Sequence, residues 1–571
     1  MAFSISPGVT VSEVNLTTVV PSVLTTAGAF VGAFNWGPAN KRIQISSEID
    51  LVNRFKQPDN NTATSYFTAS SFLAYGNNLK VVRAVGVNGK NATANTSAAT
   101  QVTNEDQFQY TYLNNLTNAN TYGPFIARYS GALGNSLTVS VVDAASFSTS
   151  WGINGVNVSS YFSGTPGTSI TANTVGASND QIHIVVMDTT GLITGTKNTV
   201  LETFQFLSKA SDGVDALGNS NYYKNYIFNN SKYIYAIDPP SYSTTSSTWG
   251  QPTAGVSFAT LSTPQTVTLS GGADDQPTDA VLANAWSYFA NPDEVDVSLM
   301  ITGAADVTIQ QTVISIANSR KDCVAFISPP SANVVNQAGN ETTNITNWVN
   351  AIGTTTSYAV ADCGWKYMFD KYNNVYRWIP LNGDIAGLCV YTDSVRDPWF
   401  SPAGFNRGNL KNVVKLAWNP NKAQRDILYP LGVNPVATFP GQGTVLFGDK
   451  TFLNQPSAFD RINVRRLFIV LEKTISLAAK YSLFEFNDAF TQSQFVSLVT
   501  PYLRDVQGRR GITAFKVVCD STNNTPQVVN SNQFVGDIYI QPARSINFIQ
   551  LNFIAVASGV TFNEVVGSTG V

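Results

Sequence analysis

Residues 441–451 read GQGTVLFGDKT, which nearly forms the phosphate-binding loop G-x-x-x-x-G-K-[ST]. Gly443 and Gly448 have the required spacing, but Asp449 stands where the lysine should follow. This insertion shifts Lys450 by one residue and puts a carboxylate where a phosphate would bind. The residues between the two glycines alternate like a buried strand, whereas a phosphate loop needs small residues that let the backbone approach. The sequence therefore predicts a strand between two glycine turns and not a nucleotide site.

The sequence contains a single histidine, His183, in the strand-like stretch QIHIVVMD. One histidine excludes an H-E-x-x-H zinc site, and no G-x-S-x-G elbow accompanies it to form a Ser-His-Asp triad. We interpret His183 as a half-exposed strand residue. Asp274 and Asp275 follow two glycines, which is typical of a turn leading to a helix cap, and no other pattern supports acid–base catalysis there. We expect no catalytic residue, cofactor site or metal site, and hence no enzyme.

Charged residues make up only 12% of the 571-residue chain, compared with roughly 25% in ordinary globular proteins. We therefore expect a polar but weakly charged surface, which suits extended strands and close packing against other proteins. The length allows three or four domains with sizeable cores. The net charge is −3, from 34 basic and 37 acidic residues, so the chain lacks the clustered basic excess that nucleic-acid binding requires.

Targeting and redox features favour a protein made in the cytoplasm. No apolar run approaches the roughly 18 residues of a membrane-spanning helix. The N-terminus lacks the basic start and apolar stretch of a secretory signal. The cysteines form no C-x-x-C pair, which excludes a zinc ribbon, and we expect reduced, buried thiols at Cys323, Cys363, Cys389 and Cys519.

Both ends of the chain have strand patterns without a helix to cover them. In residues 1–20, apolar residues alternate with polar ones, at Phe3, Ile5, Val9, Val11, Val14 and Leu16. A lone strand cannot bury itself, so we expect this N-terminal arm to need a sheet edge from elsewhere. Residues 543–565, ARSINFIQLNFIAVASGVTFNEV, are apolar on both faces, which predicts a strand inside a sheet or sandwich.

Between these ends the sequence predicts an α+β and α/β multidomain fold, with a mixed-sheet core domain and helices. We place a first core segment at 21–88, a β-rich insertion at 89–200, a middle α/β domain at 201–357, and a second core segment with the C-terminal strand or arm at 358–571. The middle domain contains one βαβ unit, which implies a parallel pair of strands.

For two helices, the spacing of apolar residues predicts which face is buried. EIDLVNRF follows a capping Ser46 or Ser47 and is expected to place Ile49, Val52 and Phe55 on one buried face. FDRINVRRLFIVLEKTISLAAKY carries a long apolar stripe, and its charged residues, including Arg465 and Arg466, are expected on a solvated face.

Several stretches, in chain order, resemble the tail sheath proteins of contractile-tailed, myovirus-type bacteriophages. They are SPGVTVSEVNLTTVV (6–20), GAFVGAFNWGP (28–38), NNLKVVRAV (77–85), IPLNGDIAGLCVYTDSVRDPWFSPAGFNRG (379–408), NPVATFPGQGTVLFGDKT (434–451), INVRRLFIVLEKTI (462–475), VCDSTNNTP (518–526) and IYIQPARSINFI (538–549). Residues 201–234 also resemble this family, whereas 91–200 match no segment that we can name.

The resemblance implies a structural virion protein that polymerises as stacked hexameric rings around a rigid tail tube. Contraction of this sheath would drive the tube through the host envelope during genome delivery, without a nucleotide. The implied partners are further copies of the chain, the tail tube protein, and the baseplate and tail terminator proteins, with no nucleic acid and no direct membrane insertion. Assembly would take place in the host cytoplasm, and the protein would end up in the tail of the virion.

Sheath proteins also join their subunits through arms that complete a sheet in a neighbour's core domain, so the resemblance implies β-augmentation. The arm residues would be Val9, Val11 and Val14 near the N-terminus, and Phe548, Leu551, Phe553, Val560 and Phe562 near the C-terminus. Because this family contacts its tube through a helix of the core domain, Arg465 and Arg466 are candidates to face the tube.

Other functions stay open at this point. The sheath of a phage-tail-like bacteriocin or injection particle would have the same fold and mechanism. A β-rich virion adhesin is favoured by the polar insertion but opposed by the βαβ unit and the long α/β core. An NTP-driven enzyme would be stabilised by Mg-ATP.

Overall fold

The computed structural model describes residues 23–95, 100–113, 121–237, 239, 248–547 and 549–551. The first segment contains β1 (Gly28–Gly32), β2 (Arg42–Ile45), α1 (Glu48–Phe55), α2 (Ala63–Leu73) and β3 (Leu79–Arg83). A β-rich unit follows, with α3 (Glu105–Phe108), β4 (Phe125–Ala127), β5 (Leu137–Asp143), β6 (Gly152–Ile153), β7 (Val156–Asn157), α4 (Ile170–Thr174), β8 (Gln181–Asp188), β9 (Thr199–Ser208), α5 (Tyr223–Asn230), β10 (Ile234–Ala236) and β11 (Gln265–Thr268).

The chain then returns to the core and ends in a helical unit. The core elements are α6 (Asp279–Ser287), β12 (Leu299–Ile301), α7 (Val307–Arg320), β13 (Val324–Ile327), α8 (Ser331–Val334), α9 (Glu341–Ile352), β14 (Ala359–Asp362), β15 (Trp365–Asp370), β16 (Val375–Pro380), α10 (Asn382–Val395), β17 (Lys415–Leu416), α11 (Lys422–Leu428), β18 (Val433–Asn434), β19 (Val436–Phe439) and β20 (Gly443–Leu446). The last unit contains α12 (Ile462–Ala479), α13 (Ala489–Gly508), β21 (Ile512–Val518), α14 (Pro526–Asn530) and β22 (Asp537–Pro542).

A seven-stranded sheet organises the core, in the order β18-β14-β13-β12-β1-β3-β2. Neighbouring strands are parallel, except that β2 and β3 are antiparallel. β1, β12, β13 and β14 are buried along their whole length, as expected of parallel strands with helices on both faces. α2 packs with α10, and α7 packs with α6 and α9, over these strands. The predicted βαβ unit is present as β12, α7 and β13.

The structure differs from the predicted domain division in two ways. β12 and β13, from the segment predicted to be a separate middle domain, lie in the same sheet as β1 to β3. The predicted boundary at 200 falls inside β9, which pairs with β8 in the sheet β11-β5-β8-β9. The β-rich unit thus runs to Ala273, which bridges to Lys90 where the chain enters the unit. The boundary was misplaced because β9 and β11 are half-buried, polar strands with a weak alternation signal.

Arg83, the last residue of β3, joins the core to the β-rich unit. Its buried guanidinium donates to the carbonyl oxygens of Phe34, Gly37 and Ser130 over 2.7 to 2.8 Å. Because Ser130 belongs to the β-rich unit, one side chain spans the junction. Asp274 lies at the same junction and accepts a hydrogen bond from an N–H group of the β-rich unit at 3.1 Å.

α1 has the predicted bounds, and its N-cap is Ser47, whose hydroxyl accepts a hydrogen bond from the N–H of Asp50. Leu51 and Phe55 are its buried residues. The prediction that Ile49 shares a buried face with Val52 and Phe55 is wrong, since Ile49 is 76% exposed. Ile49 lies about 200° around the helix axis from Leu51, which turns it towards solvent.

His183 is buried, and not half-exposed as predicted. Its ring stacks on Phe162 with 4.6 Å between the ring centres. Nδ1 accepts a hydrogen bond from the N–H of Phe206 at 3.0 Å, so Nε2 carries the proton that is donated to the carbonyl oxygen of Gly164 at 2.8 Å. Burial lowers the pKa of His183, which keeps the ring neutral as a packing element.

The other groups that could do chemistry are buried or dispersed. All four cysteines are free and buried, as predicted. Within the described ranges, no three His, Cys, Asp or Glu side chains come together as metal ligands would. No helix in those ranges is long and apolar enough to cross a membrane.

A buried polar network lies at the carboxyl ends of β13 and β14. The Asp362 carboxyl group accepts hydrogen bonds from the Ser328 hydroxyl at 2.6 Å and from the N–H of Gly364 at 3.0 Å. The Ser328 oxygen in turn accepts from the N–H of Asn382 at 3.0 Å, which fixes the start of α10 against the sheet. Burial raises the pKa of Asp362 to about 8, and the nearby Asp384 adds to this shift.

Asp362→Asn should reduce the pH dependence of stability. The carboxyl group stays protonated in the folded protein up to about pH 8 but ionises near pH 4 in the unfolded chain. The folded state therefore binds one more proton in this window, and the free energy of unfolding falls as pH rises, by up to about 1.4 kcal/mol per pH unit. Thermal unfolding between about pH 5 and 8 should show a steeper fall for the wild type than for D362N. Equal slopes would contradict a neutral Asp362.

Arg83→Lys should lower the free energy of unfolding by about 3 kcal/mol, because an ammonium group cannot reach all three carbonyl oxygens. Arg54→Lys is the matched control, since the Arg54 side chain is 63% exposed and only pairs with Asp50 one helical turn away. We expect the control to cost less than about 0.5 kcal/mol. Urea unfolding followed by tryptophan fluorescence compares the two variants. Similar losses in both would show that Arg83 does not hold the junction.

Candidate assembly surface

β21 and β22 form an antiparallel hairpin with no third strand beside it in the part of the chain that the structure describes. One face of the hairpin packs against α13 and its neighbours, through Phe515, Val517, Ile538 and Ile540. A two-stranded sheet is marginally stable alone, so this packing holds it in place. Among the described residues, both outer edges lack a strand partner, and each can accept a further strand.

The sequence reading did not predict this hairpin, although its signal is present. In ITAFKVV and DIYIQP, apolar residues alternate with exposed ones such as Lys516 and Tyr539. This is the period-two pattern of a half-buried strand. The two runs are separated by 18 residues that include α14, and this long connection hides their pairing from a local reading.

Residues 543–547 and 549–551 follow β22 and contain neither helix nor strand. The predicted strand inside a sheet is wrong for these residues, because Ile546, Ile549 and Leu551 are 81%, 77% and 71% exposed. Exposed apolar side chains at this density are typical of a surface that another chain covers. Of the predicted arm residues, only Leu551 lies in the described ranges; those outside them are Val9, Val11, Val14, Phe548, Phe553, Val560 and Phe562. The arm role stays a prediction.

An open groove of about 1260 Å³ lies between residues 399–407 of the core and this terminal segment. Phe405 and Phe447 line its core side, and Ile546 lines the side of the terminal segment. The open end of the hairpin, at Ile512, borders the same groove. The end of the hairpin at Ile512 and the exposed terminal residue Ile546 therefore border the same groove.

Arg465 and Arg466 do not lie on a solvated face of α12, as the sequence predicted, but are buried. The Arg466 guanidinium donates to both carboxylate oxygens of Asp393, at 2.8 and 2.6 Å. The Arg465 guanidinium lies 4.2 and 4.0 Å from the ring centres of Tyr358 and Phe459. α12 is covered by the core on one side and by α13 on the other, which no local pattern reveals. Contact of these two arginines with a tube stays a prediction.

The near-phosphate loop forms a strand and a turn, as predicted. β20 pairs antiparallel with β19, and Gly443 has the positive φ of a glycine turn. Gly448 lets the backbone approach Tyr429 closely, since a Cβ there would lie 2.8 Å from a ring carbon. The Lys450 ammonium lies 4.9 Å from the centre of the same ring, and Asp449 is buried. The Gly-Asp-Lys sequence thus serves packing within the chain.

Comparisons with known protein families match two regions of this architecture. The family described as phage tail sheath protein central domain matches residues 275–452. The family described as phage tail sheath C-terminal domain matches residues 454–555. The first match begins where the β-rich unit ends, and the second covers α12, α13 and the hairpin.

Curated relatives match the whole chain. The chain is 34% identical to the tail sheath protein of Vibrio phage KVP40, over 99% of this chain and 100% of that protein. It is 33% identical to the tail sheath protein of Enterobacteria phage T4, with the same coverage. It is 29% identical to the tail sheath protein of Salmonella phage ViI, over 100% of this chain and 99% of that protein.

Solved structures show the same fold at low sequence identity. A sheath tail protein from Listeria innocua gives a TM-score of 0.52 at 11% identity, over 91% of this chain and 96% of that one. The contracted sheath complex of an extracellular contractile injection system gives a TM-score of 0.50 at 14% identity, over 97% and 98%. With relatives above 30% identity along its whole length, the chain belongs to the family of tail sheath proteins of contractile phage tails.

Proposed function

We propose that the chain polymerises as stacked hexameric rings around a tail tube and that contraction of this sheath drives the tube through the host envelope. Its role is structural and non-enzymatic. Its partners are further copies of itself, the tail tube protein, and the baseplate and tail terminator proteins. It assembles in the host cytoplasm. The observation that carries this proposal is the β21–β22 hairpin, whose two outer edges have no strand partner among the described residues, in a chain whose two ends carry strand patterns.

Strand addition would join the subunits. An arm that lies along β21 or β22 of a neighbour pairs its N–H and C=O groups with the free edge, and each such hydrogen bond contributes about 1 kcal/mol. Its apolar side chains, such as Val9 and Val11, would be buried against that neighbour. Full burial of one such side chain stabilises the contact by about 1.5 to 3 kcal/mol. A few residues from each arm therefore hold a ring together.

Arms of this kind also allow movement without separation. Each arm is covalently part of one subunit while it is paired within the sheet of another. Subunits can then rotate and slide during contraction while the shared sheet stays intact. Contraction of this type is a transition between two arrangements of the same subunits. Assembly places the subunits in the less stable arrangement, so the transition needs no nucleotide.

Identity with the relatives favours a phage tail over a tail-like injection particle. The relatives above 30% identity are phage proteins, whereas the injection-system sheath is 14% identical and supports the fold alone. An adhesin function would depend on the β-rich unit. This unit is attached to the core through Arg83 and through the two chain segments that bridge at Lys90 and Ala273.

Replacing Val9, Val11 and Val14 with serine should abolish tube-shaped assemblies or reduce their number at least about tenfold, because the arm loses its buried apolar contacts. The matched control replaces Thr10, Ser12 and Asn15 with alanine in the same segment and should assemble like the wild type. Negative-stain electron microscopy of the full-length chain, with and without the tail tube protein, counts the assemblies. Equal yields from both triple variants would contradict the arm role. A wild type that stays monomeric even with the tube protein would contradict the proposed function.

A further inference from the structure

Asp449, which interrupts the near-phosphate loop, lies at the point where the terminal segment leaves the core. Its side chain is 4% exposed. One carboxylate oxygen accepts a hydrogen bond from the Ser545 hydroxyl at 2.7 Å, and the other accepts from the Asn547 side-chain amide at 2.9 Å. These two donors belong to the terminal segment, whereas the acceptor belongs to the core.

The surrounding groups hold the carboxylate in place. The Tyr429 hydroxyl lies 3.2 Å from one oxygen of Asp449, and it also accepts from the Asn547 amide at 3.0 Å. Arg461 lies on the other side, with its Nη1 3.2 Å from the Tyr429 hydroxyl and its Nε 4.0 Å from the carboxylate. A buried charge that is paired and hydrogen-bonded in this way is stable in one position.

The contacts alternate along the terminal segment. Ser545 and Asn547 point to the core, while Ile546 between them is 81% exposed. Alternation with a period of two is the geometry of an extended strand, in which a shift by one residue exchanges the two faces. The hydrogen bonds to Asp449 therefore hold Ser545 and Asn547 on the core side of the segment and leave Ile546 on its exposed side.

The start of the described chain has a similar arrangement. The Thr25 hydroxyl donates to Asp393 at 2.7 Å, and Asp393 is held by Arg466 at 2.6 Å. Residues 1–22 precede this point, as residues 552–571 follow the contact with Asp449. At each end, a buried aspartate beside an arginine binds a hydroxyl of the segment that leads to the terminus.

We propose that Asp449 is a positioning residue that anchors the C-terminal arm. Through Ser545 and Asn547 it sets the place and the direction in which the arm leaves the core. That the anchored segment acts as an arm depends on the proposed function. The anchoring itself depends only on contacts within one chain. A segment held in its departure direction loses less conformational entropy when it pairs with a neighbour, so the anchor favours assembly.

Trypsin tests the anchor directly, because Arg544 lies beside the anchored residues and is exposed. Ser545→Ala with Asn547→Ala removes both donors of the terminal segment and leaves the core unchanged. In the full-length chain, cleavage after Arg544 should become at least about tenfold faster, since local release exposes the segment to protease. Cleavage after Lys197, in an exposed loop of the β-rich unit, serves as the internal reference and should not change.

Ile546→Ala is the matched control in the same segment and should leave the cleavage rate after Arg544 within about twofold of the wild type. Asp449→Asn keeps the side-chain shape and one acceptor oxygen but replaces the other oxygen with a donating NH2 group, and its cleavage rate should fall between those of the wild type and the double variant. Equal rates after Arg544 in the wild type and the double variant would overturn the anchor.

Assembly with the tail tube protein tests the positioning role. The double variant should form at least about tenfold fewer tubes than the wild type. Equal tube yields, together with faster cleavage, would show an anchor that does not serve assembly and would overturn the proposal. A wild type that forms no tubes would instead contradict the proposed function, while the trypsin comparison would still decide whether Asp449 holds the segment.

Discussion

The edge of a β-sheet exposes N–H and C=O groups that either water or another strand must satisfy. Within the described ranges, β21 and β22 leave two such edges without a strand partner, and each end of the chain carries a strand pattern that cannot bury itself. On the proposed function, the two features complement one another between copies of the chain. On this account, the hairpin edges of one subunit pair with the terminal strands of another when subunits meet, and the other parts of the molecule hold these edges and strands in place.

The parts that hold the edges and strands in place are fixed to one another by packing and buried hydrogen bonds. The seven-stranded sheet is covered by helices, and its buried polar network around Asp362 and Ser328 fixes α10 on it. Arg83 ties the β-rich unit to the same sheet. Arg466 and Asp393 join α12 to α10 and to the start of the described chain, so the hairpin unit and the first residues share one rigid base. A rigid base matters because an arm can find its neighbour's edge only if both begin from defined places.

Sequence reasoning recovered the elements whose signal is local. The βαβ unit of β12, α7 and β13 and the capped helix α1 were predicted, because strand and helix patterns alternate along the unit and a serine marks the start of α1. The reading failed where burial depends on distant parts of the chain. Arg465, Arg466 and His183 lie in patterns that suggest exposure, yet elements far away in sequence cover them. For Ile546 and Ile549 the error is the opposite one. Their apolar pattern predicts burial, but the described residues of one chain leave both exposed. The family itself was recognisable, since its motifs span both core segments and both ends.

The most direct test is a helical cryo-electron microscopy reconstruction of the sheath assembled from the full-length chain on its tail tube. The account predicts a sheet of more than two strands at β21 and β22, in which a strand about 4.8 Å from a hairpin edge traces back to a different subunit. It also predicts that this strand contains residues from 1–20 or from 548–571. Hairpin edges that face solvent in the assembled sheath, or that are covered only by residues of their own chain, would contradict the central claim.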